Sequence, residues 1–149
     1  VQVRAARPDD APVVHDLVQG AYARYVSRIG RRPGPMDHDY GEKVAQGYVS
    51  VAEEDGRVVG LIVLIPASDH LLVENVAVDP GSQGQGIGRA LLAFAEAAAR
   101  DAGFSTLQLY THAAMTENLA FYPRLGYREV GRRTDPGFER VFFSKRLEA

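Results

Sequence analysis

The chain has no cysteine in its 149 residues, which excludes disulfides, thiolate metal sites and a cysteine nucleophile. It also lacks an excess of charge of one sign. Seventeen Lys and Arg oppose 19 Asp and Glu for a formal net charge of −2, so no broad basic field is available for nucleic acid, and no nucleic-acid partner is expected. No apolar run reaches membrane length and no segment reads as a signal peptide, so no membrane partner and a cytoplasmic location are expected. His15, His38 and His70 lack metal-ligand spacing, so no metal site is expected. What remains is ordinary for a soluble globular protein: 46% apolar and 24% charged residues. The length suits one domain over 1–149 with a substantial core.

The most informative stretch is Gln83-Gly84-Gln85-Gly86-Ile87-Gly88-Arg89-Ala90. It follows the apolar run Leu71 to Val78, which ends in Asp79-Pro80, and it leads into an amphipathic helix. In that helix Ile87, Ala90, Leu91, Phe94, Ala95 and Ala98 fall on one face, with Arg89, Glu96 and Arg100 on the other. Gly103 stands where a left-handed cap is expected. Strand, glycine-rich turn and helix together make an anion site. The glycines let a phosphate approach the backbone, the first helical N–H groups are unpartnered, and the helix dipole adds positive charge there. A plain turn entering a core helix would use the same glycines.

Periodicity supplies the other elements. Val1, Val3 and Ala5 alternate as a strand. Val14, Leu17, Val18, Ala21 and Tyr25 make one helical face, and Asp37 to Gln46 reads as a short helix. Tyr48–Glu53 and Arg57–Ile65 are strands joined by a hairpin at Asp55-Gly56. Thr106–Tyr110 is a strand, Thr116–Arg124 a helix, and Tyr127–Arg133 and Arg140–Leu147 are strands. Hairpins at the start and end around one βαβ crossover imply a mixed α/β sheet carrying helices.

The loop is not a nucleotide-hydrolase P-loop, because Gly88-Arg89-Ala90 stands where Gly-Lys-Ser/Thr is needed. Nor is it a dinucleotide fingerprint, because position 89 is Arg. It does match Gln-x-x-Gly-x-Gly. With Val76-Ala77-Val78-Asp79-Pro80 before it, it resembles the acetyl-CoA loop of the GCN5-related N-acetyltransferases (GNAT). Asn118-Leu119-Ala120-Phe121-Tyr122-Pro123-Arg124-Leu125-Gly126-Tyr127 resembles that family's C-terminal motif, Tyr-x-x-Leu-Gly-Phe/Tyr after an Asn. Here Asn118 lies closer to Tyr122 than the usual seven-residue spacing. The resemblance implies a mostly antiparallel sheet of about seven strands with helices on both faces.

It also implies a chemistry: direct attack of an amine on acetyl-CoA, with the acceptor a small-molecule or protein amine. The backbone of Val76, Ala77 and Val78 would hold the pantetheine arm, and the Val78 N–H would stabilise the oxyanion. The amides of Gln83, Gly84, Gln85, Gly86, Ile87, Gly88 and Arg89 would hold the pyrophosphate, with Asn118 and Tyr122 beside the ligand. Tyr122 would protonate the leaving thiolate, although a tyrosine beside Phe121 also packs well. For the base, Glu74 lies four residues before Val78, so alternation puts both on one face. His112 lies just past a strand end and suits a base by its ordinary pKa; water is the third option. Tyr25, Arg28, Arg31, Arg32, Met36 and Tyr40 are candidates for the acceptor pocket, although the arginines also read as a solvated loop. Alternatives are a non-catalytic acyl-CoA-binding domain, a peptide N-terminal acetyltransferase and a nucleotide binder. A homodimer is the commonest assembly.

Overall fold

The alternating apolar segments pair into one sheet. The computed structural model describes residues 1–136 and 138–148. Its elements are β1 (Gln2–Ala5), α1 (Ala11–Tyr22), α2 (Tyr25–Ile29), α3 (Tyr40–Ala45), β2 (Val49–Glu54), β3 (Arg57–Pro66), β4 (Leu71–Val78), α4 (Ile87–Asp101), β5 (Thr106–His112), α5 (Thr116–Arg124), β6 (Arg128–Asp135) and β7 (Phe138–Arg146). The spatial order is β1-β2-β3-β4-β5-β7-β6. Every neighbouring pair is antiparallel except β4 and β5, which are parallel. This is the seven-stranded, mostly antiparallel sheet that was expected. Asp55 and Gly56 both take left-handed φ, of 52° and 77°, as the tight hairpin between β2 and β3 requires.

Each sheet face has its own apolar cluster. Ile87, Leu91, Leu92, Ala95 and Ala99 of α4 pack with Leu107, Leu109, Tyr122, Val141 and Phe143 on one face. Val14, Leu17, Val18, Tyr40 and Val44 from α1 and α3 pack with Val51, Leu61 and Val63 on the other. Two helical readings shift. The buried stripe of α4 is centred on Leu91, Leu92, Ala95 and Ala99, whereas Ala90, Phe94 and Ala98 are half-buried at its margin. Tyr25 does not extend the α1 face. α1 ends at Tyr22, and Tyr25 opens α2 with its ring against the guanidinium groups of Arg24 and Arg28, at 4.8 and 5.1 Å.

Two irregularities of β4 matter for the site. Val63 pairs with Asn75 and Leu64 with Val73, so Glu74 is an extra residue with no partner on β3. Such a bulge reverses which side chains face which way. Before it, Leu71 and Val73 join the α4 cluster; after it, Val76 and Val78 pack there and Ala77 joins the α1 cluster. Glu74 points to the α1 side, where it meets Lys43 of α3. Glu74 and Val78 therefore lie on opposite faces, and the expectation from simple alternation is corrected.

The second irregularity is a gap. β4 and β5 pair only from Leu71–Val73 to Leu107–Leu109. Beyond Val73 the two strands separate. On its other side β4 stays paired, Asn75 with Val63 and Ala77 with Leu61, and Asp79 N–H donates to Val59 O at 2.8 Å. Backbone groups alternate along a strand, so those of Val76 and Val78 turn toward the gap.

Candidate active site

The gap widens into a cavity of about 100 Å³ lined by both strands, α5 and the segment between α2 and α3. The glycine-rich loop follows the end of β4. Gly84 and Gly86 take left-handed φ of 81° and 82°, a conformation that L side chains rarely adopt. Gly86 caps α4 at its N-terminus and accepts from Ala90 N–H at 3.0 Å, which leaves the amides of Ile87, Gly88 and Arg89 without helical partners. The Gln83 side-chain amide donates to Val78 O at 3.4 Å and fastens the loop to the strand end. Gln83 and Gly88 thus lie beside Val78 at the end of the strand. Ala77 does not face the gap: its side chain packs on the α1 side and its backbone pairs with β3. Ile87 is buried in the core and offers only its N–H.

Tyr122 comes from the middle of α5 and is 5% exposed. Its ring packs on Phe121, Tyr127 and Phe143 at 5.6, 5.8 and 5.6 Å, so its orientation is fixed. Tyr122 lines the cavity, and none of the hydrogen bonds among the described residues involves its hydroxyl. Burial raises its pKa above the ordinary phenol value, which keeps the proton on. Asn118 also lines the cavity, but its amide donates to Thr111 Oγ1 at 3.0 Å and ties α5 to β5. The residue seven before Tyr122 is Met115, whose sulfur accepts from Thr111 Oγ1 at 3.4 Å.

The base candidates separate. Glu74 lines the cavity with Oε1 2.7 Å from Lys43 Nζ and 3.4 Å from His38 Nδ1. His38 also lines it, and burial lowers its pKa, favouring the neutral imidazole. His112 lines the cavity as well, but it is clamped. Ala114 N–H donates to its Nδ1 at 2.9 Å and Glu139 N–H approaches its Nε2 at 3.3 Å. A neutral imidazole has one nitrogen lone pair, and in either tautomer it is taken. Burial lowers the His112 pKa too, but the geometry gives it a structural task at the end of β5.

The arginines expected at the acceptor pocket do not line the cavity; they tie the segments around it together. Arg28 pairs with Glu117 at 2.6 Å and Arg24 reaches the same carboxylate at 3.7 Å, strapping α2 to the start of α5. The hydrogen bond from Arg28 holds the Glu117 pKa down at about 2. Tyr25 is buried within this strap, its hydroxyl 3.4 Å from Glu117. Arg31 donates to Pro136 O at 3.2 Å and lies over Phe138, while Arg32 pairs with Asp37. Met36 is buried, and its carbonyl accepts from Gln19. Tyr40 is buried behind the cavity and bonded to Asn75. Sequence reasoning missed Tyr22, His38 and Asn75, all of which line the cavity. Asn75 carried a signal, a polar residue within the apolar run of β4; Tyr22 carried none.

Residues 45–129 match the family model described as an acetyltransferase (GNAT) domain. The chain belongs to the GNAT acetyltransferase family. The matched stretch of this GNAT chain runs from the end of α3 into β6. It contains the gap strand, the loop and Tyr122, and it leaves α1 and α2 outside. N-acetyltransferase 8B of Homo sapiens is 33% identical over 133 residues, which are 80% of this chain and 56% of that protein. The [ribosomal protein bS18]-alanine N-acetyltransferase of Escherichia coli is 33% identical over 77 residues, 52% of each chain. The GNAT chain thus spans about half the length of these curated relatives. Among solved structures, the PaiA N-acetyltransferase of Thermoplasma acidophilum, in complex with coenzyme A, superposes with a TM-score of 0.83 at 16% identity, over 98% of both chains. The Escherichia coli ribosomal-protein-S18-alanine N-acetyltransferase gives 0.75 at 23%, over 99% of this chain and 94% of that one. At these identities the likeness concerns the fold.

Proposed function

We propose that this GNAT chain is an acetyl-CoA-dependent N-acetyltransferase that moves the acetyl group directly to an amine. The observation that carries this reading is Tyr122 lining the cavity with Val76, on a strand whose backbone edge toward β5 is unpaired beyond Val73 and which leads into the Gln83–Arg89 loop. The strand edge suits an extended amide-bearing arm, and the loop amides at the start of α4 suit a pyrophosphate. Both belong to coenzyme A.

The amine nitrogen attacks the thioester carbonyl carbon and the C–N bond forms. The oxyanion accepts a hydrogen bond from Val78 N–H, the C–S bond breaks, and the thiolate takes the Tyr122 proton. The proton lost by the amine goes to the Glu74–His38 edge of the cavity or, through water, to solvent. Without cysteine, no acetyl-thioester enzyme forms, so both substrates must be bound together. Much of the acceleration comes from holding them aligned, which is worth roughly 7–11 kcal/mol in favourable cases. The strap from α2 to α5, with Arg31 reaching the β6–β7 hairpin, encloses the acceptor end and favours a small amine over an extended peptide.

The test is a panel of small amines and peptide N-termini with acetyl-CoA, read by release of free thiol. The expected result is release that requires an amine and shows no parallel-line kinetics. Tight acetyl-CoA binding with no release on any acceptor would favour a ligand-sensing domain instead.

A further inference from the structure

Three side chains from distant parts of the chain form one hydrogen-bonded row behind the gap. Tyr22, the last residue of α1, bonds to Asn75 Oδ1 at 2.6 Å. Asn75 Nδ2 bonds to the Tyr40 hydroxyl at 3.0 Å, and that hydroxyl bonds to Pro35 O at 2.6 Å. The far end fixes the direction of the row. A backbone carbonyl only accepts, so Tyr40 must donate to Pro35. The Tyr40 oxygen is then left to accept, which obliges Asn75 to present its NH₂ to Tyr40 and its Oδ1 to Tyr22. Tyr22 must therefore give its one proton to Asn75. Asn75 is 3% exposed, and turning its amide would break both of its bonds.

What Tyr22 offers the cavity is thus an oxygen with lone pairs and no proton. Tyr22 lines the same cavity as Val76, Glu74 and Tyr122. An attacking amine carries N–H donors and one lone pair. A hydroxyl that donated to the amine would occupy the lone pair needed for attack. An oxygen able only to accept holds an N–H and leaves the lone pair free.

Building on the N-acetyltransferase reading, we propose that the Tyr22 oxygen, its polarity set by Asn75, Tyr40 and the Pro35 carbonyl, is the fixed hydrogen-bond acceptor that orients the amine for attack. Tyr22 is a substrate-positioning residue, and Asn75 and Tyr40 act through it. The row also accounts for the polar Asn75 in an otherwise apolar strand.

The experiment is steady-state kinetics at saturating acetyl-CoA with a small amine substrate, on the wild type, Tyr22→Phe, Tyr40→Phe and the double variant. Each substitution keeps its ring, and the acetyl-CoA thermal shift checks the fold and cofactor site in each. Tyr22→Phe should raise the amine KM roughly tenfold to a hundredfold, the range for a lost hydrogen bond to a charged or strongly polar group, with the acetyl-CoA shift unchanged. Tyr40→Phe frees the Asn75 amide to turn and donate to Tyr22, whose proton then points into the cavity. It should raise the amine KM as well. The double variant should be no worse than Tyr22→Phe alone, because Tyr40 works only through Tyr22. An unchanged amine KM in Tyr22→Phe, or losses that multiply in the double variant, would overturn the proposal. A wild type that transfers to no amine would overturn the underlying reading, and it shows before any variant is made.

Discussion

Two parts of the site are built by different means. The loop from Gln83 to Arg89 works through backbone: left-handed glycines, free amides and a helix start. The opposite side works through side chains: Tyr22 at the end of α1, His38 before α3 and Glu74 on β4, with Tyr40 behind them. The first part and Tyr122 lie inside the stretch matched by the GNAT family model, whereas α1 and α2 lie before it. If the proposed reading holds, a site for a constant ligand is written in local backbone geometry. The acceptor side would then be written in long-range contacts.

Tyr122 lines the cavity, and removing its phenol should have the largest effect. Tyr122→Phe keeps the packing on Phe121, Tyr127 and Phe143. Turnover should fall by roughly 10²–10⁴-fold, the range for a lost general acid, while acetyl-CoA affinity stays near wild type. Retained turnover on a good acceptor would leave solvent as the proton source.

Next comes the backbone part. Gly86 has φ of 82°, so a bare Gly86→Asp mixes strain with charge. Gly86→Asn tolerates the same φ and is nearly the same size. The Asp variant should lose the acetyl-CoA thermal shift, and the Asn variant should keep a measurable part of it. Equal losses would mean that the position matters for its conformation alone.

In the side-chain part, Glu74→Gln should lower kcat/KM for the amine by about tenfold or more if the Glu74–His38 edge takes the proton. The acetyl-CoA shift should not change. His112→Gln should lower thermal stability and leave the pH profile of turnover in place, because both ring nitrogens of His112 meet backbone N–H groups. If His112→Gln changed the pH profile of turnover, the assignment of the base would move to β5.

The smallest expected effect is on stability against pH. Burial lowers the pKa of His38 in the folded chain, so the unfolded chain binds the proton more readily. Stability is then full above the unfolded value of about 6.5 and is lost as pH falls below it toward the folded pKa. His112 adds to the same slope. His38→Gln should flatten the acid side of a melting-temperature profile and leave the value at pH 8 nearly unchanged.

What could be read in the sequence follows the same division. Gly84, Gly86 and the stripe of α4 obey local rules, and the strand, glycine turn and helix were legible from them. The strand order was legible once the resemblance was added to the periodicity. The face of Glu74 was not, because one unpaired residue reverses alternation without any mark in composition. Nor was the row of Tyr22, Asn75 and Tyr40, whose members lie far apart in sequence. The arginines of 28–32 looked like anion ligands, but each of Arg28, Arg31 and Arg32 is already engaged by this chain's own carboxylates or carbonyls.

The extra residue in β4 has a mechanical side. Bulges increase local twist, and the pairing of β4 with β5 stops at Val73, the residue just before Glu74. One inserted residue therefore peels the strand away from its parallel neighbour and turns its backbone into a vacant docking edge. Without it, β4 and β5 could zip shut over their length and the sheet would be continuous, better paired and blind to any ligand. Residue 74 works as a wedge through its presence in the backbone count, apart from the chemistry of its side chain.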